Sequence, residues 1–233
     1  MRDVLAPRLK LGVLIPSTNT VVEAEYNRLV PEGVTVHAGR LHIRRPRTDG
    51  DAAFETLIED VRADLDHATE VLATCEPDRV ALGMTAIAFL GGHDAEARLR
   101  ERIEQRAGVP VTTGPQAMVA QLERRGIERI VLLSPYQPLP ERETIAYFEE
   151  AEIQVVASAS LRSPNATSIA KVTAKELTRR VTEADQGQAQ AIVQVGTNLA
   201  MAYLADRLSA AVGKPVLGIN AATVEACLAA HPA

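Results

Sequence analysis

The stretch Ala191-Ile-Val-Gln-Val-Gly-Thr-Asn-Leu199 decides the fold of this chain. A short apolar run ends in Gly196, Thr197 and Asn198, and a helical pattern follows directly. Short apolar runs of this kind are typical of strands that are buried on both faces of a parallel sheet. In open α/β sheets, ligand sites form where the carboxyl ends of strands meet the N-termini of the following helices. The stretch therefore predicts an α/β fold with a ligand site at this turn.

Three sequence motifs of the first half of the chain recur in the second half. Residues 11–17 resemble residues 130–136, residues 79–86 resemble residues 191–199, and residues 108–111 resemble residues 213–216. Because the copies keep the same order, they predict an internal duplication rather than chance similarity. We expect two pseudo-symmetric, flavodoxin-like halves, each with a parallel sheet, and a cleft between them.

The pattern of apolar residues predicts strands that alternate with helices along the whole chain. Strands are predicted at 11–15, 34–43, 80–83, 109–112, 129–134, 153–160, 191–195 and 215–219. Helices are predicted at 21–30, 51–74, 94–106, 116–125, 140–150, 166–184, 199–211 and 221–230, with a glycine-containing loop at 84–93. We expect residues 1–115 to form the N-terminal half and residues 116–219 the C-terminal half. The segment 220–233 is expected to complete the N-terminal half.

The composition of the 233 residues excludes several classes of partner. The net charge is −5, only 3% of the residues are aromatic and Trp is absent, so we expect no nucleic-acid partner. No apolar run reaches the roughly 18 residues of a membrane helix, and no signal peptide is recognised at the start. These features predict a cytoplasmic protein with no membrane partner. Exposed helices of such a fold commonly pair, so we expect a homo-oligomer.

The sequence also predicts that the protein uses neither a metal nor an organic cofactor. The five His residues are scattered, and no glycine-rich phosphate-binding motif follows a strand. Cys75 and Cys227 lie in apolar helical patterns away from the strand ends, so we interpret both as structural, reduced thiols.

Polar residues at the predicted strand ends are the candidate ligands of a small molecule. Asn19, in Pro16-Ser-Thr-Asn-Thr20, either donates to a ligand carboxylate or only caps the next helix. The phenol of Tyr136 either contacts a ligand or is an aromatic side chain at the rim. Asn165 lies in a polar loop that is expected to reach the cleft, and His93 is either an acid–base group or a solvated loop residue. The basic residues Arg40, Arg44, Arg45 and Arg47 form either a solvated strand end or a rim that attracts anions.

Two turns, one in each half, form a symmetric pair. Met84-Thr85-Ala86 and Gly196-Thr197-Asn198 both offer hydroxyls and backbone N–H groups at a predicted helix start. Two such turns that face each other would present donors from both sides to a small anion, in particular a dicarboxylate.

At these residues the chain resembles the aspartate/glutamate racemase superfamily, in particular its maleate cis-trans isomerase and arylmalonate decarboxylase branch. The resemblance covers nearly the whole chain and depends on residues 16–20, 83–86, 134–136, 195–199 and 213–216. It implies two pseudo-symmetric halves around a cofactor-free site, with one cysteine from each half beside the substrate. Met84 and Gly196 occupy the positions of those cysteines. Since neither side chain has an ionisable thiol, proton transfer or addition by a thiolate is unavailable there.

The resemblance implies a cofactor-independent isomerase or decarboxylase of a small carboxylate or dicarboxylate. A neutral anion hole would replace the cysteine pair, with Tyr136 and Thr85 as catalytic residues. The predicted substrate-binding residues are Pro16, Asn19, Thr85, Tyr136, Asn165, Thr197 and Asn198. The alternative is a catalytically inactive relative that binds a carboxylate as a sensor or accessory subunit.

Overall fold

The computed structural model describes residues 3–184 and 187–231 of the chain. The other six residues, which belong to the predicted units 1–115, 116–219 and 220–233, lie outside the described residues.

The first half contains a four-stranded parallel sheet in the order β2-β1-β3-β4. Its strands are β1 (Leu9–Pro16), β2 (Val34–Leu41), β3 (Arg79–Leu82) and β4 (Val111–Thr113). Its helices are α1 (Val22–Leu29), α2 (Asp51–Ala73), α3 (Thr85–Ala88), α4 (Gly92–Ala107) and α5 (Gly114–Arg124).

The second half contains a four-stranded parallel sheet in the equivalent order β6-β5-β7-β8. Its strands are β5 (Arg129–Ser134), β6 (Gln154–Ser160), β7 (Ala191–Gln194) and β8 (Val216–Gly218). Its helices are α6 (Pro138–Glu150), α7 (Ala166–Ile169), α8 (Ala174–Ala184), α9 (Ala205–Val212) and α10 (Ile219–Ala229). Because both sheets have the same strand order, the predicted α/β fold of two pseudo-symmetric halves is confirmed.

The central strands are buried on both faces, as their apolar runs predict. Residues 130–133 of β5 and residues 191–193 of β7 have no exposed surface. Helices therefore cover both faces of each sheet, and polar residues reach solvent or a cleft only beyond the strand ends. Of the described helices, none is both long and apolar enough to cross a bilayer.

Three predicted elements were wrong in their boundaries. The predicted loop at 84–93 contains the short helix α3, and α4 already begins at Gly92. The predicted helix 166–184 is divided into α7 and α8, and the Thr173 hydroxyl accepts a hydrogen bond from the Glu176 N–H group at the start of α8.

The third error concerns the stretch that decides the fold. The helix predicted at 199–211 begins only at Ala205. The N–H groups of Met201 and Ala202 instead donate to the carboxylate of Glu25, which lies in the other half, each at 2.8 Å. Because this carboxylate satisfies both donors, the segment does not need to be helical to bury them. The expectation that a helix N-terminus follows Asn198 directly is therefore wrong.

The C-terminal helix α10 packs against the first half of the chain. Val224 and Cys227 are buried in a cluster with Leu11, Val13 and Tyr26 of the first half. We propose from this packing that segment 220–233 belongs structurally to the N-terminal unit, as the sequence predicts.

Replacing Val224 by Ala should lower the free energy of unfolding by about 1–3 kcal/mol, because it removes two buried methyl groups and leaves a cavity against β1. Glu225→Gln is the matched control, since this neighbouring side chain is exposed, glutamine keeps an oxygen acceptor for Gln121 Nε2, and the ion pair with Arg124 that is lost is worth little. Urea unfolding followed by circular dichroism would measure both. Equal effects of the two substitutions would contradict the proposed placement of α10.

Candidate active site

A cavity lies between the two halves, where the carboxyl ends of both sheets meet. It encloses about 650 Å³ of space between atoms, a figure that includes its open mouth, whereas the cavity volume itself is about 70 Å³. Residues from the ends of four strands line it, among them Pro16 at the end of β1, Met84 after β3, Pro135 after β5 and Gly196 after β7. The duplicated strand ends thus form one shared site.

The lining combines apolar side chains with neutral polar ones. The apolar members include Ile43, Phe54, Leu57, Met84, Pro140 and Ile169. The polar members are Thr18, Asn19, Thr48, Thr85, Tyr136, Gln137, Thr197 and Asn198. No Lys, Arg, His, Asp or Glu belongs to the lining that the structure describes. A ligand in this cavity would therefore meet uncharged hydrogen-bond donors and apolar side chains.

The structure brings together nearly all of the residues predicted to form the site. The cavity is lined by Pro16, Asn19, Met84, Thr85, Tyr136, Gly196, Thr197 and Asn198. Asn165 does not belong to this lining. Its Oδ1 atom accepts from the Ser168 N–H group at 2.8 Å and so caps α7, whereas the next residue, Ala166, lines the cavity.

The hydroxyls of Thr85 and Tyr136 converge on one backbone carbonyl. Thr85 Oγ1 lies 2.6 Å from the carbonyl oxygen of Val195 and 2.7 Å from Tyr136 Oη, which is itself 3.2 Å from that carbonyl. Two hydroxyl hydrogens serve three contacts, so only two of these bonds form at any time. A carboxylate could recruit these donors only by competing with Val195.

Burial raises the pKa of the Tyr136 phenol, an effect that the hydrogen bond with Thr85 partly opposes. The phenol is therefore neutral at ordinary pH and serves as a hydrogen-bond donor. Loss of its proton would leave a buried phenolate, which makes Tyr136 a poor acid.

Of the two roles that the sequence left open for Asn19, the structure shows the capping of the next helix. Its Oδ1 atom accepts from the N–H groups of Val21 and Val22 at the start of α1, at 2.9 and 3.0 Å. Its Nδ2 group donates to Thr197 Oγ1 at 3.3 Å, across the two halves. Among the described hydrogen bonds, Thr197 Oγ1 acts only as an acceptor, so its own hydrogen is available to a ligand.

Asn198 joins three segments around the cavity. Its Oδ1 atom accepts from the Thr20 N–H group at 3.0 Å, and its Nδ2 group donates to the Ala166 carbonyl at 2.9 Å. Since both ends of this amide already have partners, Asn198 supports the wall of the site more than it offers free donors.

The four arginines at the end of β2 and in the following loop lie outside the cavity lining, and three of them are paired. Arg40 contacts Glu23, Arg45 contacts the buried carboxylate of Asp60, and Arg47 contacts Asp49. These ion pairs favour the interpretation of a solvated strand end over a rim that attracts anions.

His93 packs away from the cavity. Its ring lies 4.2 Å from that of Tyr147, and its Nε2 atom lies 3.0 Å from the Tyr147 carbonyl. This position, where α4 contacts α6 and outside the cavity lining, does not support an acid–base role in the cavity.

Both cysteines lie outside the cavity lining. Cys75 is half-buried at the end of α2, where its thiol donates to the Leu72 carbonyl. Cys227 is buried in α10, and this burial raises the pKa of its thiol to about 11. Within residues 3–184 and 187–231, no group of three or more His, Cys, Asp or Glu side chains is arranged to hold a metal ion.

Sequence reasoning missed the residues that support the site from behind. Gln194, Asn220 and Glu25 are buried and hydrogen-bonded to the backbone of residues 196–202. Gln194 was detectable, since it is the single polar residue in the apolar run of β7. The role of Glu25 could not be predicted from the sequence, because its partners lie about 176 residues away along the chain.

The fold and the cavity together define a class of α/β proteins in which two duplicated halves enclose one small-molecule site at their strand ends. The chain belongs to the arylmalonate decarboxylase family, whose sequence profile matches residues 11–231. It is 26% identical to the maleate isomerase of Geobacillus stearothermophilus, over 94% of this chain and 90% of that protein. The named relatives are enzymes, as the resemblance predicts.

Solved structures of three such enzymes have the same fold. A cysteine-to-alanine variant of the Pseudomonas putida S16 maleate isomerase with maleate has a TM-score of 0.84 and 21% identity, over 95% of this chain and 91% of that chain. A cysteine-to-serine variant of the Nocardia farcinica maleate cis-trans isomerase, with a covalently bound succinylcysteine intermediate, has a TM-score of 0.85 and 18% identity, over 94% and 91%. A double variant of arylmalonate decarboxylase in the liganded form has a TM-score of 0.81 and 20% identity, over 93% and 90%.

The backbone at Gly196 approaches Pro135 too closely to allow a side chain. A Cβ atom on residue 196 would lie 2.7 Å from Pro135 Cδ and nearer still to its Cγ. Because the proline ring is rigid and buried between strand ends, Gly196→Ala should cost about 1–3 kcal/mol of stability. The measurement is urea unfolding of the variant and of the wild type.

The double variant Pro135→Ala/Gly196→Ala should recover most of this loss, because it removes the ring atoms that overlap with the new methyl group. Pro135→Ala alone is the matched control. If Gly196→Ala is as stable as the wild type, the contact does not constrain this position.

Proposed function

We propose that the protein is a cofactor-independent enzyme that acts on a small carboxylate or dicarboxylate in the cavity between its halves. The observation that carries this proposal is the set of neutral donors, from Thr85, Tyr136 and Thr197, in a lining without charged side chains. Neutral donors can bind a carboxylate without fixing its charge as a bidentate arginine would, so the bound group remains reactive.

We propose decarboxylation as the favoured reaction. The Nocardia isomerase is described with a succinylcysteine intermediate, which requires a thiol at its site. In this chain, Met84 and Gly196 occupy the positions at which the resemblance expects the two cysteines, and no cysteine belongs to the described lining. Addition of a thiolate to a double bond therefore has no candidate nucleophile here, whereas cleavage of a C–C bond needs none.

In the proposed step, the bond between the α-carbon and one carboxylate breaks, and carbon dioxide leaves. The electron pair of that bond remains on the α-carbon and the second carboxylate as an enediolate, which the donors of Thr85, Tyr136 and Thr197 stabilise. The apolar part of the lining favours the loss of charge at the departing carboxylate. A proton then adds to the α-carbon from water or from the Tyr136 phenol, and the hydroxide or phenolate left behind is neutralised by a proton from solvent. Burial raises the pKa of Tyr136 and so weakens the phenol as a donor.

One observation supports a second candidate function, a carboxylate-binding protein without catalytic activity. The hydroxyls of Thr85 and Tyr136 are both directed to the Val195 carbonyl, and the lining described here offers no side chain that titrates near neutral pH. Binding through Thr197 would remain possible without turnover.

Malonate, maleate and aryl- or alkyl-substituted malonates should raise the melting temperature of the protein, because they bind the folded state selectively. Thr197→Val should abolish this shift, since it removes the available hydroxyl donor while preserving the shape of the side chain. Differential scanning fluorimetry with each acid is the measurement. Thr144→Val is the matched control, because Thr144 is equally buried but bonds only within α6 and lies outside the cavity.

The products separate the two candidate functions. Release of carbon dioxide supports the decarboxylase, a change in double-bond geometry supports an isomerase, and binding without turnover across the panel supports the second candidate. If no carboxylate stabilises the protein and a neutral ligand or nucleotide does, the proposal is wrong.

Activity should be insensitive to the two cysteines, because both lie outside the cavity. We expect the Cys75→Ala/Cys227→Ala variant to keep its kcat/KM within about tenfold of the wild type, or about 1.4 kcal/mol of transition-state stabilisation. Circular dichroism controls for folding, and malonate binding serves as the readout if no turnover is found. A larger loss of kcat/KM in a folded variant would mean that the reaction takes place outside this cavity.

A further inference from the structure

Three buried carboxamide side chains hold the turn at residues 196–198, and two of them, Gln194 and Asn220, lie outside the cavity lining. Gln194 Nε2 donates to the Gly196 carbonyl at 2.6 Å, Asn220 Nδ2 donates to the Thr197 carbonyl at 2.9 Å, and Asn19 Nδ2 donates to Thr197 Oγ1. The exposed fraction of each of the three amide residues is 2% or less. Both backbone carbonyls of the turn are therefore fixed by donors in the protein interior.

Fixing these carbonyls also fixes the N–H groups of the turn. In a planar trans peptide, the C=O and N–H bonds point in opposite directions. The N–H groups of Thr197 and Asn198 donate to no acceptor in the described part of the chain, and both residues line the cavity. The N–H groups of Thr197 and Asn198 therefore point away from the amides of Gln194 and Asn220, which hold the two carbonyls.

The orientation of the Asn220 amide is set by Glu25. One oxygen of this 5% exposed carboxylate accepts from Met201 and Ala202, and the other accepts from Asn220 Nδ2 at 2.8 Å. A carboxylate only accepts, so it requires the NH₂ group of Asn220 on its side. The second hydrogen of that same group reaches the Thr197 carbonyl. The Oδ1 atom of Asn220, on the other side, has no partner among the described residues.

We propose that Glu25 is a positioning residue for the cavity. Its charge fixes the Asn220 amide, and Asn220 in turn fixes the backbone donors of Thr197 and Asn198 toward the ligand. This inference rests on the proposed function insofar as the ligand that these donors would serve is a small carboxylate.

A simpler role is a structural tie, in which Glu25 only joins α1 to α10 and to residues 201–202. Removal of Glu25 would damage the protein under either role, so a deletion cannot separate them. The polarity of the Glu25–Asn220 pair can be reversed instead, since Gln and Asp have the shapes of Glu and Asn. In Glu25→Gln/Asn220→Asp, the pair keeps one buried charge and its hydrogen bond, but an oxygen now faces the Thr197 carbonyl.

The two roles predict different properties for this reversed pair. We expect it to recover most of the stability lost in Asn220→Asp, where two carboxylates face each other. We also expect the amide ¹H–¹⁵N signals of Thr197 and Asn198 to shift, and the dissociation constant for malonate to rise by about tenfold or more, because the turn loses its donor. Glu25→Gln alone should also shift the two amide signals and raise the dissociation constant for malonate. The Asn220 amide must rotate by about half a turn so that its Oδ1 atom accepts from the new NH₂ group of Gln at position 25.

The control is Glu96→Gln, which neutralises another buried carboxylate, bonded to Thr113 and outside the cavity. It should leave the Thr197 and Asn198 signals and the malonate affinity unchanged. If Glu25→Gln and the reversed pair also leave both unchanged, Glu25 is only a structural tie and the inference is overturned. If the wild type does not bind malonate, the proposed function fails separately. The amide signals then decide the positioning role, since shifts in both Glu25 variants support it and unchanged signals overturn it.

Discussion

The structure depends on hydrogen bonds that cross from one half to the other at the strand ends. Asn19 bonds to Thr197, Thr85 bonds to the Val195 carbonyl, and Glu25 bonds to the backbone at 201 and 202. These groups are buried, so each must find its partner in the opposite half or remain unsatisfied at a cost of about 1–3 kcal/mol. The hydrogen bonds that join the halves therefore also fix the residues that form the wall of the cavity.

This dual use of polar groups limits what the cavity can do chemically. Donors that hold the halves together are not free to bind a ligand, and Thr85 and Tyr136 must leave Val195 before they can stabilise an anion. The Thr197 hydroxyl accepts from Asn19, but its own hydrogen and the N–H groups of Thr197 and Asn198 have no acceptor among the described contacts. We therefore propose that anion recognition is centred on the second half, although the duplication suggested two equal turns.

Duplication made the fold and most of the site predictable from the sequence. Repeated strand-end motifs give the topology of both sheets, and parallel strands bring their carboxyl ends together, so the lining followed without any knowledge of contacts. What could not be predicted depended on distant partners. The missing helix after Asn198 is explained by Glu25, and the capping role of Asn165 depends on where α7 begins. Local patterns carry no information about either.

The contact between Pro135 and Gly196 has an evolutionary consequence. With the proline ring where a side chain at 196 would project, a mutation that introduces a cysteine there meets a steric penalty before it can contribute any chemistry. The order of mutations then matters, because the proline must be replaced first and that replacement brings no catalytic benefit by itself. A descendant of this chain is therefore more easily selected for new specificity within the present cavity than for thiol chemistry at position 196.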